Sequence, residues 1–193
     1  VALLQATTLA RLKTALGISD STDDARLTII IDAVSREIEA YLDSALLQET
    51  QTEEHDVGQG QTVWYLRSRI AAVTSIKTAT DWDWASATAL DSDFYHFTAG
   101  ETSIQVKHGL RVGRRTAQFV YTGGFATSTT NLVASFEPIA LAADYQCVQE
   151  WRRKENLGST SRSAAGSSKS WTGEHSLLER SQELLDQYRR LVT

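Results

Sequence analysis

A single cysteine, Cys147, occurs in the 193 residues, so no internal disulfide can form and nothing marks the chain for an oxidising compartment. Its expected state is a buried thiol. Methionine is absent, which fits removal of an initiator before Val1, and the only proline is Pro138. No apolar run is long enough to span a membrane, and VALLQATTLARLK lacks the order of a signal peptide because Arg11 and Lys13 follow its apolar part. The expectation is a soluble protein, intracellular when made, with no membrane partner. Net charge is -5, and a dedicated nucleic-acid binder would carry a basic stripe instead. Catalytic signatures are missing too. His55, His96, His108 and His175 are scattered, without the spacing of a zinc site, and no nucleophile elbow, kinase signature or dinucleotide fingerprint occurs. Glu53, Glu54, His55 and Asp56 are the densest potential ligands, but on a strand only alternate residues share a face. Tyr121-Thr122-Gly123-Gly124-Phe125 lacks the G-K-[ST] ending of a phosphate loop and is taken as the turn ending a strand. Asp20, Asp23 and Asp24 are accounted for by helix capping. No catalytic, cofactor-binding or metal-ligating residue is assigned, and no enzymatic activity is expected.

What is present begins with a long amphipathic helix between Ile18 and Ala45. Leu27, Ile31, Val34, Ile38, Tyr41 and Ala45 recur at helical intervals, with Ile30 and Leu42 widening the stripe. Thr28, Asp32, Arg36, Glu39 and Asp43 form the wet side, with Asp32 placed to pair with Arg36. The shorter repeat Leu9, Leu12, Leu16, closed by Gly17, is its nearest packing partner, so residues 1–47 are expected to form a helical hairpin.

From about Gln48 the grammar changes to short runs rich in Val, Ile, Thr, Trp and Tyr between Gly, Asp and Ser. Residues 48–125 are expected to be an antiparallel β-rich insert of roughly five or six strands. Gly58 to Gln61 and Ala99 to Glu101 are expected hairpin turns, and DWDWASAT an aromatic tip carrying Trp82 and Trp84. Large aromatics at a tip favour an interface reading over a core one, so Trp82 and Trp84 are candidate contact residues. Trp64 and Trp151 are expected in the core.

A polar loop over Ala126 to Asn131 leads to a third helix within residues 126–157. IALAADYQCVQEW is apolar on nearly every face, the mark of a helix enclosed on several sides. GSTSRSAAGSSKSWTG, at 158 to 173, has almost no means of burying itself and is expected to be a flexible or extended tether. A last amphipathic helix, EHSLLERSQELLDQYRRLV, completes the 158–193 segment as a docking device. The basic runs Arg111, Arg114, Arg115, then Arg152 to Lys154, then Arg189 and Arg190 have few interleaved aromatics, so dipole complements or intersubunit partners suit them better than base stacking. The fold class is α+β: a helix pair plus a third helix, an inserted antiparallel β subdomain and a tethered C-terminal helix.

In this order of segments the chain resembles the gp6-like head-tail connectors (adaptors) of tailed bacteriophages. The residues that carry the resemblance are LARLKTALGISDSTDDARLTIIIDAVSREIEAYL, the strand exit VYTGGFA, the helix opening EPIALAADYQCVQEWRRK, and the closing tether with ELLDQYRRL. The resemblance implies a virion structural protein of the neck, in the host cytoplasm during assembly, forming a homo-oligomeric ring of about twelve copies. Its partners would be the portal on one side and a stopper or tail-completion protein on the other, with double-stranded DNA passing through the channel without specific binding. The closing helix, through Leu177, Leu178, Leu184, Leu185, Tyr188, Arg189, Arg190 and Leu191, would be the portal-docking arm. Two alternatives stand beside this: a tail-side completion or terminator ring protein, and a small nucleic-acid-binding factor.

Overall fold

A computed structural model describes residues 3–79, 84, 87–107, 110–153, 161–164, 167–170 and 177–189. The chain divides into two compact units, Val1–Leu42 with Ser128–Thr193, and Asp43–Thr127.

In the first unit, α1 (Leu9–Leu16) starts where the Thr8 hydroxyl accepts the Arg11 amide at 3.2 Å. It ends at Gly17, whose φ of 71° lets its own amide and that of Ile18 reach back to the Thr14 and Lys13 carbonyls. The second helix, α2 (Asp24–Leu42), is tied to α1 by Lys13 Nζ on Asp24 at 2.7 Å. Its buried stripe is Leu27, Ile31, Val34, Ser35, Ile38 and Leu42, the expected face with a serine in it. Ser35 fits because its hydroxyl accepts the Ala6 amide at 2.9 Å and donates to the Ile31 carbonyl at 2.6 Å. Tyr41 is only half-buried, and Ala45 lies past the helix, which stops as Asp43 turns to a φ of 49°. Asp32, expected to face Arg36, accepts from Gln5 Nε2 at 2.8 Å.

Where a polar loop was expected, Ser128 caps a short helix, α3 (Thr129–Ser135), by accepting the Asn131 amide at 3.2 Å. The capping oxygen outweighs the polarity of the run. Pro138 is the second residue of α4 (Glu137–Arg153), where its missing N–H costs nothing. This helix packs against α1, α2, α3 and the later α5 (Glu179–Leu185), which accounts for its apolar residues on several sides.

The C-terminal segment departs from expectation in the length of its closing helix. Within the expected tether, β8 (Ser161–Ala164) and β9 (Ser167–Ser170) pair antiparallel, because a backbone ladder needs no apolar side chain. The closing helix is shorter than its pattern: α5 spans Glu179–Leu185, tightens to a 3-10 turn at Asp186–Tyr188, and gives way to extended backbone at Arg189. Tertiary partners on α2 and Phe136 take Asp186, Tyr188 and Arg189 and end the helix there.

The second unit holds two antiparallel sheets. The larger runs β1 (Glu49–Val57), β7 (Gly113–Gly123), β3 (Ile70–Thr78), β4 (Thr88–Ala89) in spatial order. The smaller runs β2 (Val63–Tyr65), β6 (Ser103–Val106), β5 (Tyr95–Phe97). The β5–β6 hairpin turns at Gly100 as expected, but the expected β1–β2 hairpin is absent. Gly58 to Gln61 instead passes the chain from one sheet to the other, so that β1 pairs with β7 and Trp64 approaches Phe119 at 5.8 Å between centroids. Ile76, out of step in the sequence, is fully buried because a register shift between Val73 and Ser75 turns it inward. Both sheets contribute to one core, with Trp64, Leu66 and Ile104 meeting Ile76, Phe119 and Tyr121. At the end of β7, Gly124 has a φ of 134°, and a Cβ there would strike the Leu47 carbonyl.

Candidate assembly surface

The C-terminal segment folds back on its own unit. Leu177, Ser181 and Leu185 are buried, and the Ser181 hydroxyl donates to the Ala142 carbonyl at 3.0 Å. The Leu178 amide donates to Gln146 Oε1 at 2.9 Å, giving the buried Gln146 side chain its partner. Tyr41 then donates to Asp186 at 2.5 Å and carries the Arg189 guanidinium 5.0 Å over its ring. The hydrogen bond to Asp186 raises the Tyr41 phenol above its ordinary value. Tyr188 meets Phe136 edge-on at 5.9 Å. Of the candidate docking residues, Leu177 and Leu185 face inward, Leu178, Leu184 and Tyr188 are half-buried, and Arg189 is exposed. Arg190 and Leu191 lie outside the described residues, as does Trp82. Trp84 is half-buried, and its carbonyl accepts from Lys77 Nζ at 3.3 Å.

One polar cluster escaped the sequence reading, and a second was read without its partners Tyr121 and Arg67. Asp144, in the middle of α4, accepts from the Thr7 hydroxyl at 2.6 Å and pairs with Arg11, so the chain's opening segment is strapped to the third long helix. An acid within the apolar run IALAADYQCV was its only signal. Cys147, one turn further, is wholly buried, and burial pushes its thiol well above the ordinary range. In the β unit, Glu53 accepts from Tyr121 Oη, from the Arg67 amide at 2.9 Å and from His55 at 3.1 Å. Burial alone would raise Glu53, but the bonds from His55, Tyr121 and Arg67 outweigh it and hold the carboxyl below its ordinary value. Burial, then Glu53, pushes the Tyr121 phenol up. Glu53 and His55 thus share one face of β1, while Glu54 and Asp56 turn to the other and take the Arg115 side chain and amide. Among the described residues no group of three or more His, Cys, Asp or Glu could hold a metal ion. None of their helices is long and apolar enough to cross a membrane.

Among the described residues, large exposed apolar side chains are Val63, Tyr65, Phe94 and Val112 in the β unit and Ile29 and Tyr145 in the helical one. A helical unit and a β unit, each with a polar cluster that ties its elements together, make up an α+β chain with Val63 and Tyr65 left exposed on the smaller sheet. The chain belongs to the head completion protein family, whose family model matches residues 5–191. Solved structures share the fold. A protein in the neck of an empty GTA particle computed with C6 symmetry is similar at a TM-score of 0.63 and 15% identity, covering 100% of this chain and 95% of that one. A chain of the virion of a native gene transfer agent (GTA) particle gives 0.61 and 16%, over 100% and 94%. A protein in the neck of a native GTA particle computed with C12 symmetry gives 0.56 and 16%, also over 100% and 94%. Among curated proteins none matches. The connector resemblance read from the order of segments and the family match agree.

Proposed function

We propose that the chain is a structural adaptor subunit of a phage-type neck, one copy of a ring that joins the portal to the stopper or tail and surrounds the channel through which DNA leaves. The observation that carries this reading is the head completion family match over residues 5–191, nearly the whole chain. Similarity in fold to neck proteins of particles computed with C6 and C12 symmetry supports a ring of copies, with twelve as the expected number. The subunit acts by packing and carries out no reaction. A net charge of -5 suits a channel that DNA slides through, since Lys or Arg contacts to phosphate would hold it. It works in the virion neck after assembly in the host cytoplasm.

Within this role the C-terminal segment is the portal-docking part. Of the docking candidates, Leu178, Leu184, Tyr188 and Arg189 keep some exposure while α5 stays on α4, and Arg190 and Leu191 follow them in the sequence. Leu177 and Leu185 support it from beneath. Trp82 and Trp84 serve contacts with a neighbouring subunit or the next ring.

Electron microscopy of the protein mixed with purified portal, beside the protein alone, tests the reading. The expected result is a ring of added density at one pole of the portal. Deletion of residues 159–193 abolishes that density, and because deletion strips the cover from α4, the milder pair Leu184→Ser and Arg189→Glu is run beside it. Rings on purified tail tubes with no portal binding would overturn the adaptor position in favour of a tail-side terminator. Salt-sensitive DNA binding by the free chain would favour a nucleic-acid-binding factor.

A further inference from the structure

We infer that the outer face of α2, centred on Ile29, seats a second copy of this chain through that copy's Asp91–Phe94 turn. This rests on the ring reading above and names the two surfaces by which copies meet.

The outermost residues of α2 are not the polar ones expected there. Thr28, Asp32 and Glu39 are half-buried, and the exposed residues of the helix are Ala25, Arg26, Ile29, Ala33, Arg36 and Ala40. Helical spacing puts these on the side away from Leu27, Ile31, Val34 and Ile38. Ile29, at 68%, is the most exposed large apolar side chain among the described residues. Arg26 lies over the Trp151 ring at 5.6 Å. The Arg36 side chain has no partner among the described residues, since Asp32, expected to face it, takes Gln5 instead. Acids stand only at the margins of this strip: Asp32 and Glu37 are half-buried, and Asp43 lies past the helix end. The strip is thus apolar at its centre and cationic toward both ends, in a chain of net charge -5.

The β unit carries the opposite surface. From Thr78 to Val106 there is no Lys or Arg, while five acids and five Phe, Trp or Tyr residues occur. Within that stretch Asp91, Ser92, Asp93 and Phe94 are all exposed, on a 3-10 turn that Asp91 caps by accepting the Asp93 amide. Phe94 is 45% exposed. Its carbonyl accepts the Lys107 amide at 2.8 Å, so one exposed cation stands near the two aspartates and leaves the turn acidic.

The pairing of these surfaces selects the occupant. A closed ring is heterologous, so one chain must present two different surfaces that fit each other. This chain holds both. Arg26 and Arg36 complement Asp91 and Asp93, and the Phe94 side chain meets Ile29 among alanines short enough to let it reach the helix. A different protein would account for one surface and leave the other without a role. Nucleic acid, which the arginines would draw, is repelled by the turn.

The test traps the contact between copies. Ile29→Cys and Phe94→Cys are made in separate full chains and treated with a short bismaleimide, each alone and as a mixture, both with purified portal and as concentrated chain. Cys147 is wholly buried and leaves little background. Covalent pairs are expected from the mixture and not from either variant alone. Pairs from either variant alone, linkage to the portal, or monomer only where microscopy shows rings overturns the proposal and leaves the neck reading standing. If no ring forms and the portal is not bound, the neck reading fails, and the concentrated mixture still decides the contact: pairs support it, monomer overturns it. In a second measurement, Arg36→Glu and Asp93→Arg are each expected to weaken self-association by about tenfold or more. Mixing the two should restore it, because the acidic strip of one then meets the basic turn of the other. Circular dichroism should show both folded, since both side chains are exposed. Unchanged self-association in either folded variant, or no rescue on mixing, would also overturn the proposal.

Discussion

The helical unit and the β unit are held together in opposite ways. In the helical unit the tying hydrogen bonds join residues far apart in the chain: Thr7 to Asp144 across 137 positions and Tyr41 to Asp186 across 145. The β unit is one continuous stretch, Asp43–Thr127, and its tie between Tyr121 and Glu53 spans 68. Closing a long loop costs more chain entropy than closing a short one, and with one cysteine no disulfide can share that cost. The helical unit therefore depends on both ends of the chain being in place, whereas the β unit closes within itself. Its hydrophobic content differs as well. The β core is built on large aromatics, Trp64, Phe119 and Tyr121, while α4 packs mainly through alanines and relies on buried polar partners.

The largest test of this contrast is Phe119→Ala. Removing a wholly buried ring that Trp64 and His55 pack against should destabilise the β unit by about 3–5 kcal/mol. In denaturant, the tryptophan signal of the β unit should shift to lower midpoint while helical circular dichroism keeps its own. A common shift of both signals would show the two units to be one cooperative body. Next in size is Asp144→Ala, which strands the Thr7 hydroxyl and Arg11 and should cost the helical unit about 2–3 kcal/mol, read from the helical signal with the β signal unmoved.

A pH series separates the units further. Glu53 holds its proton less tightly folded than at its ordinary value of 4.5, so its contribution is complete above that pH and is lost as pH falls through the lower folded value. Acidification below pH 4.5 should thus weaken the β unit, and Glu53→Gln should flatten that part of the profile while costing about 1 kcal/mol near neutrality. The smallest effect is expected from Tyr41→Phe. Losing one hydrogen bond to Asp186 at the surface should lower helical stability by about 0.5–1 kcal/mol, visible as faster amide exchange in α5.

Much of this architecture was legible in the residues, and its gaps have a common cause. The α2 stripe from Leu27 to Leu42 could be read because a helix repeats its inward face every three or four residues whatever it packs against. Ser35 could not, since its place in the stripe depends on an amide from Ala6. Ile76 looked misplaced until the register shift before it was seen. The turn at Gly58 to Gln61 has the chemistry of a hairpin, but β1 found its partner in β7, 11 residues long, and not in the three-residue β2. For the assembly surface, the amphipathic pattern of the closing helix marked it as needing a partner. That α4 of the same chain covers Leu177 and Leu185 was not in the pattern.

By itself the sequence determined the fold class, the Gly17 end of α1, the apolar faces of α2 and α4, the β5–β6 hairpin and the family, because periodicity and turn chemistry act over a few neighbouring residues. Tertiary structure alone decided which strands share a sheet and which partners Asp144 and Glu53 meet. Those outcomes are competitions among surfaces that lie far apart along the chain, settled only when all of them are brought together in space.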